Sequence, residues 1–383
     1  MPQTENVDVL IVGSGPAGMS TALHLIDADR SWTGRTVVVD RAVHPRDKLC
    51  GGGITGDGDR VLEGLGLRYD GPQVLVQELE LIYRSHNHSM NGDPVFRVVR
   101  RNEFDHWLAK LGQKQGLELR QGEAVTSVVP KRDHIEVVTD RAVFHAKVVV
   151  AADGSNSTVL KELKWNRTAG QARLLEVLTS ETPDTRAFQD GVAMFDFSQA
   201  GAGLQGYYWE FPSMIGDQAF LNRGVFDSRV QSRRPRAALK QVLSESFANR
   251  GRDLADFSLK GHPIRWFQSD SPVSAPRILL AGDSAGVDPF LGEGISYALG
   301  YGQVAADAIV DAFARNDLSF VGYADRIQAH PLLSGLKTRV ALAKLIYWPR
   351  MVWQQELAWR LSSMILSGFQ RYRRGFGTRT STG

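Results

Sequence analysis

The stretch Val7-Asp8-Val9-Leu10-Ile11-Val12-Gly13-Ser14-Gly15-Pro16-Ala17-Gly18-Met19-Ser20 decides how the rest of the chain is read. Val7 and the run Val9–Val12 form an apolar, β-branched segment that suits a strand buried on both faces. Gly13-x-Gly15-x-x-Gly18 follows at once, and Ala17–Ile26 suits a helix with Ala22, Leu23 and Ile26 on its apolar face. Each glycine has a reason. The first permits a tight turn, the second lets the backbone approach a pyrophosphate, and the third lets helix and strand pack closely. The exposed N–H groups of the helix N-terminus then favour phosphate. A second buried run, Thr36–Val39, ends in Asp40-Arg41. Asp40 lies about 20 residues beyond the glycines, where a ribose-binding carboxylate belongs. Strand, turn, helix, strand and acid together read as a dinucleotide site.

The 383 residues suffice for two interwoven domains, and the net charge of +3 argues against a nucleic-acid partner. The single cysteine, Cys50, excludes an internal disulfide and suggests a reducing compartment. The first strand begins almost at once with no leader ahead of it, and no apolar run reaches 18 residues, so a cytoplasmic location is expected. Charge is unevenly placed. From Lys337 onward there are nine Lys or Arg and one acid, Glu356, so the body before them is mildly acidic.

Lys48-Leu49-Cys50-Gly51-Gly52-Gly53 reads either as a loop that brings backbone N–H groups and a thiol against a ligand, or as a flexible loop. A helix is expected near residues 60–67 and strands around 75–83. His86 and His88 suit a turn or edge strand, and no metal site is expected. Phe96–Val99 reads as a strand, followed by a helix from residue 100 with Asn102 as N-cap and Phe104, Leu108 and Leu111 on one face. Strands are expected over 117–120, 124–130, 134–139 and 142–144. Lys147–Ala152 is another buried strand, ending in Asp153-Gly154. Alternating stretches at 192–197, 206–211 and 219–225 suit an antiparallel sheet, and 235–250 a helix. Arg277–Ala281 returns to a buried strand and ends in Gly282-Asp283. Asp288–Ile295 then leads into a long helix over 296–315.

Taken in order, these parts resemble FAD-dependent oxidoreductases of the aromatic-hydroxylase class, and within it the geranylgeranyl reductase family. Lys48–Gly53 is similar to that family's K-P-C-G-G-G, Tyr207-Tyr208-Trp209-Glu210-Phe211-Pro212 fits its Y-x-W-x-F-P, and Asp288–Ile295 is close to its N-P-F-x-G-E-G-I. Arg101-x-x-Phe104-Asp105 is a further shared motif. Leu49 departs from the family proline, and Ser213-Met214-Ile215-Gly216 from its usual lysine and glycine run. The resemblance implies an α/β fold: a Rossmann-like FAD-binding domain (1–75, 97–165, 270–330) with an interleaved antiparallel β-sheet substrate domain (76–96, 166–269) and a helical C-terminal segment (331–383). It implies FAD held by Gly13, Gly15, Gly18, Asp40, Arg41, Cys50, Gly51, Gly52, Arg101, Asp153, Gly282, Asp283, Pro289, Gly292, Gly294 and Ile295. Cys50, Tyr207 and Trp209 are the expected catalytic contacts.

The implied reaction is hydride transfer from reduced flavin to a C=C bond of an isoprenoid or other lipid-like substrate. The reductant would be transient NAD(P)H or a protein electron donor, since no second glycine fingerprint is present. The alternative is a monooxygenase that hydroxylates an aromatic small molecule or a protein side chain through a C4a-(hydro)peroxyflavin. Residues 346–365 interleave aromatic and apolar side chains with Arg, which suits peripheral contact with the inner face of an anionic membrane. The other reading of this tail is packing on the body. Residues 375–383 are expected to be disordered.

Overall fold

The computed structural model describes residues 4–165 and 170–348, apart from the side chains of 201 and 202. The aromatic, basic reading of the tail beyond Trp348 lies outside the described residues. The chain runs β1 (Thr4–Val12), α1 (Pro16–Ala28), β2 (Thr36–Asp40), β3 (Gly53–Thr55), α2 (Gly56–Gly64), β4 (Gln73–Tyr83), β5 (His86–Val99) and α3 (Arg101–Lys114). It continues through β6 (Glu118–Gln121), β7 (Val125–Pro130), β8 (Ile135–Thr139), β9 (Val143–Ala151), α4 (Thr158–Glu162), β10 (Gln171–Ser180) and α5 (Arg186–Gln189). Next come β11 (Val192–Asp196), β12 (Gly206–Ile215), β13 (Gln218–Asp227), α6 (Leu239–Ala248), β14 (Lys260–Arg265), β15 (Ser274–Ala275) and β16 (Ile278–Leu280). Among the described residues the last helices of the α type are α7 (Ile295–Arg315), α8 (Tyr323–Ala329) and α9 (Leu336–Ile346).

Two sheets organise these elements. The first has the order β15-β16-β9-β1-β2-β6, with β7 and β8 attached through β9. From β16 to β6 its strands are parallel. Val9, Leu10 and Ile11 of β1 are fully buried, as expected of a strand covered on both faces. The register aligns Val12 with Val39 and with Ala151, and Ala151 with Leu280. The segments leaving β1, β2, β9 and β16 therefore emerge side by side at one edge, where ligands of open parallel sheets bind. α1 and α7 pack there closely enough for the Ser20 hydroxyl to donate to the Leu299 carbonyl at 2.7 Å.

The second sheet has the order β14-β10-β13-β12-β11-β4-β5-β3 and is antiparallel except for the β11–β4 pair. Its apolar face buries Val76, Phe96, Phe195, Tyr207, Trp209, Phe211 and Phe226 in one cluster. α6 covers the opposite face through Val242, Leu243 and Phe247.

Several expectations shift. Gly53–Thr55 pairs with β5 and so joins the second sheet, whereas the expected boundaries place it within the first domain. The helix expected at 60–67 begins at Gly56, where Asp57 and Asp59 favour its N-terminus. α3 is capped at Arg100 and not at Asn102, because Arg100 is the last residue with extended backbone. α6 spans Leu239–Ala248, shorter than 235–250. The strands expected at 142–144 and from 147 form one element, β9. β3 pairs only with 96–98 of β5, which leaves His86 and His88 on the free edge, in line with the edge-strand reading.

Candidate active site

Between the two sheets lies a cavity of about 790 Å³, within the usual range for ligand pockets. Its first end is the aligned edge of the parallel sheet. Gly13 has φ +105°, and a Cβ there would lie 2.4 Å from the Ala152 carbonyl oxygen. A Cβ at Gly18 would lie 1.9 Å from the Gly13 carbonyl oxygen, so only glycine lets α1 settle against the turn. At Gly15 the Cβ position opens instead towards the guanidinium groups of Arg46, at 3.5 Å, and Arg101, at 3.9 Å. Gly15 caps α1 without a side-chain hydrogen bond, so the first N–H groups of the helix face this space.

Arg101 is buried and donates from Nε and Nη2 to the two carboxylate oxygens of Asp105, at 2.7 and 2.8 Å. Arg46 Nη2 lies 3.2 Å from the same carboxylate. One fully buried acid thus orients two cations. Burial opposes the Arg101 charge, but Asp105 outweighs it and raises the pKa. Asp40 accepts from the Ser14 N–H and hydroxyl, both at 2.7 Å, and from the Ala42 N–H at 2.8 Å. Burial works to raise its pKa, yet these bonds hold it lower than usual.

Midway along the cavity, Lys48 Nζ donates to His262 Nε2, so His262 is neutral. Burial and the nearby Lys48 push its pKa down to about 4. Burial likewise lowers Lys48, against the attraction of Asp283. Asp283 accepts from the Ser155 hydroxyl at 2.8 Å. Asp153 accepts from the Thr158 and Val159 N–H groups, at 2.6 and 3.2 Å, and so caps α4.

The far end is apolar. Leu79, Met90, Val95, Phe96, Leu174, Phe195 and Phe211 line it beside Tyr207 and Trp209. The Tyr207 hydroxyl donates to the Leu291 carbonyl, and burial raises its pKa well above the usual phenol value. Trp209 Nε1–H donates to Asn222 Oδ1 at 2.9 Å, and Asn222 Nδ2–H donates to the Cys50 carbonyl at 3.1 Å. Beneath them Glu176 is 3% exposed, and its Oε2 has no hydrogen-bond partner among the described residues. Burial pushes its pKa up to about 7, although Arg100, then the Asn222 side chain and the Cys50 N–H, favour its charge. Cys50 is half-buried, lines the cavity, and its Sγ accepts the Gly52 N–H at 3.4 Å.

The turn 288–294 is held by Asp288, which accepts from the Phe290 and Leu291 N–H groups at 2.7 and 3.0 Å. Arg339 of α9 reaches Asp288 at 3.1 Å and Glu293 at 3.6 Å. Burial raises the pKa of both acids against this pairing. Gly294 caps α7, again without a side-chain bond. A second helix N-terminus therefore faces the cavity.

The cavity brings together Gly13, Gly15, Asp40, Arg41, Cys50, Gly51, Gly52, Arg101, Asp153, Tyr207, Trp209, Gly282, Asp283, Gly292, Gly294 and Ile295. Gly18 and Pro289 are not among its lining residues; Gly18 packs the turn, and Pro289 sits within the Asp288 loop. Sequence reasoning missed Arg46, His262, Glu176, Asn222 and Arg339. Only Arg46, in the polar run before Lys48, lay near a recognised motif.

The residues fit a dinucleotide cofactor. Gly15 leaves room where Arg46, Arg101 and an uncapped helix N-terminus converge, and Lys48 has no carboxylate within ion-pair distance among the described residues. An anion is what this arrangement accommodates.

Comparison with known proteins agrees. The family described as FAD binding domain matches residues 6–300. The menaquinone reductase of Mycolicibacterium smegmatis is 28% identical over 379 residues, covering 90% of this chain and 86% of that protein. A geranylgeranyl bacteriochlorophyll reductase-like structure from Thermoplasma acidophilum superposes with a TM-score of 0.72 at 22% identity, covering 90% and 87%. A probable FAD-dependent monooxygenase from Pseudomonas aeruginosa shares the fold at a TM-score of 0.68 and 19% identity, covering 92% and 98%. The chain belongs to the FAD binding domain family, as an FAD-dependent oxidoreductase with the fold of the geranylgeranyl reductase-like flavoproteins.

Proposed function

We propose that the protein reduces C=C bonds of an isoprenoid or other lipid-like substrate. The observation that carries this is the apolar, aromatic far end of the cavity, continuous with the cofactor cleft. Apolar walls bind a prenyl chain by excluding water, about 25 cal/mol for each Å² buried.

When bound, FAD supplies the hydride from its reduced ring. The chain's residues do the rest. Arg46 and Arg101, oriented by Asp105, would hold the diphosphate with the α1 N–H groups, and Asp40 and Arg41 would bind the adenosine end. Asp283, Gly282, Gly292, Gly294 and Ile295 line the cavity beside the α7 N-terminus and would shape the approach to the ring. The Trp209–Asn222–Cys50 bonds fix the 50–52 loop, and Cys50 is the contact proposed nearest the reacting carbons. Tyr207, its hydroxyl already engaged, serves as a wall. The reductant is transient NAD(P)H or a protein donor, and the aromatic and basic sequence of residues 346–365 would favour contact with an anionic membrane surface.

The test uses the holoenzyme reduced with dithionite under argon and mixed with menaquinone or a geranylgeranylated lipid. A product whose prenyl chain is heavier by two hydrogen atoms, still so after air has returned any quinol to quinone and absent when enzyme is omitted, supports the reading. A product heavier by one oxygen atom, formed only after oxygen is admitted, overturns it in favour of hydroxylation.

A further inference from the structure

Away from the cavity, the antiparallel β7–β8–β9 ribbon places two imidazoles and a carboxylate on one face. Glu136 of β8 stands directly opposite His145 of β9. His134 precedes Glu136 by two residues and shares its face, as strand alternation requires. The donor atoms of the three side chains all lie within 4.8 Å of one another. The imidazole centroids are 4.2 Å apart, and His145 Nε2 lies 3.8 Å from Glu136 Oε2.

The neighbours set the chemical form of each donor. His134 Nδ1 lies 2.8 Å from Asp133 Oδ1. The carboxylate can only accept there, so Nδ1 carries the proton and Nε2 carries the lone pair. That Nε2 is buried and has no hydrogen-bond partner among the described residues. A carboxylate orienting the far side of a histidine is the usual support behind a metal-bound imidazole. Glu136 gives Oε1 to Lys131, at 3.1 Å, which leaves Oε2 turned towards His145. The side chains are 23%, 30% and 33% exposed for His134, Glu136 and His145, so an ion would keep water on its outer side.

We propose that His134, Glu136 and His145 form a binding site for a divalent transition ion of the zinc type. Two imidazoles and one carboxylate suit a borderline cation, whose bonds of about 2.0–2.2 Å need only small side-chain rotations to close this triangle. None of the three lines the cavity, so the ion acts as a clip on the ribbon and takes no part in the flavin chemistry. It ties the end of the β7–β8 turn to β9, the strand that delivers Asp153 and Gly154 to the cleft.

Tag-free holoenzyme, stripped with chelator, is titrated with zinc chloride in a calorimeter and melted with and without the ion. One equivalent binding with micromolar affinity and a melting temperature several degrees higher is the expected result. His145→Ala and Glu136→Gln weaken binding at least about tenfold and abolish the thermal shift, while FAD content and melting in chelator stay as in the wild type. Absence of saturable binding overturns the site. Binding that survives both substitutions also overturns it, since the ion then lies elsewhere, for example at His86 and His88.

Discussion

At the scale of single residues, the site is made precise by side chains that touch no ligand. Asp105 holds Arg101 by two bonds and Arg46 by one. Asp105→Asn keeps the shape but loses the charge, and FAD affinity is expected to fall by about tenfold, roughly 1.4 kcal/mol. Fluorescence titration of the apoprotein measures this, and an unchanged affinity removes the positioning role. Tyr207 gives the opposite expectation. Its hydroxyl is spent on the Leu291 carbonyl, so Tyr207→Phe should keep turnover within about threefold of the wild type, a barrier change under 1 kcal/mol. A drop of a hundredfold would make the phenol a proton donor. Gly13, Gly15 and Gly18 were legible because their demands are local, set by one turn. His262 and Glu176 were not. They reach the Lys48–Cys50 loop only because β14 and β10 pair in a register fixed by elements far apart in sequence.

At the scale of elements, α9 does what its sequence did not announce. Aromatic and basic composition could suggest that residues 331 onward are helical, but it could not show that Arg339 would meet two buried carboxylates beside the cavity. Arg339→Ala leaves Asp288 and Glu293 without their cation and should cost about 2–3 kcal/mol, less than a fully buried pair because the arginine is partly exposed. Urea denaturation reads this directly; a loss below 0.5 kcal/mol, roughly the size of a surface effect, would show the pairing to be incidental. α9 leaves Leu345 68% exposed beside Lys344, and Trp348, two residues past its end, is 67% exposed. In sequence these residues belong to the same apolar and basic pattern as the residues that follow. Full-length protein should float with anionic liposomes, and a chain ending after Trp348 should float several-fold less. Equal flotation would assign the pattern to packing.

At the scale of the whole molecule, the paired strands β10 and β14 of the second sheet carry ionisable groups that oppose one another. Glu176 binds its proton more tightly in the native state, with a pKa of about 7 against the ordinary 4.5. Its contribution is fullest below pH 4.5 and declines as pH rises to about 7. His262 resists protonation, with a pKa near 4 against 6.5, so its contribution is present above pH 6.5 and is lost as pH falls towards 4. Between those limits the slopes oppose each other, each worth up to about 3 kcal/mol in all. Glu176→Gln should steepen the acid side of the stability curve, and His262→Gln should steepen the decline towards neutrality. Denaturant titrations across pH 4–8 check both, and superimposable profiles would deny the groups this role. A last consequence concerns synthesis. The cavity takes Gly13 from the first strand's turn and Arg339 from the last described helix. A ribosome delivers these ends at opposite times. The nascent chain can form the phosphate turn early, but it cannot close the chamber until α9 has emerged, so secure retention of the cofactor waits for Arg339, more than 300 residues after the turn.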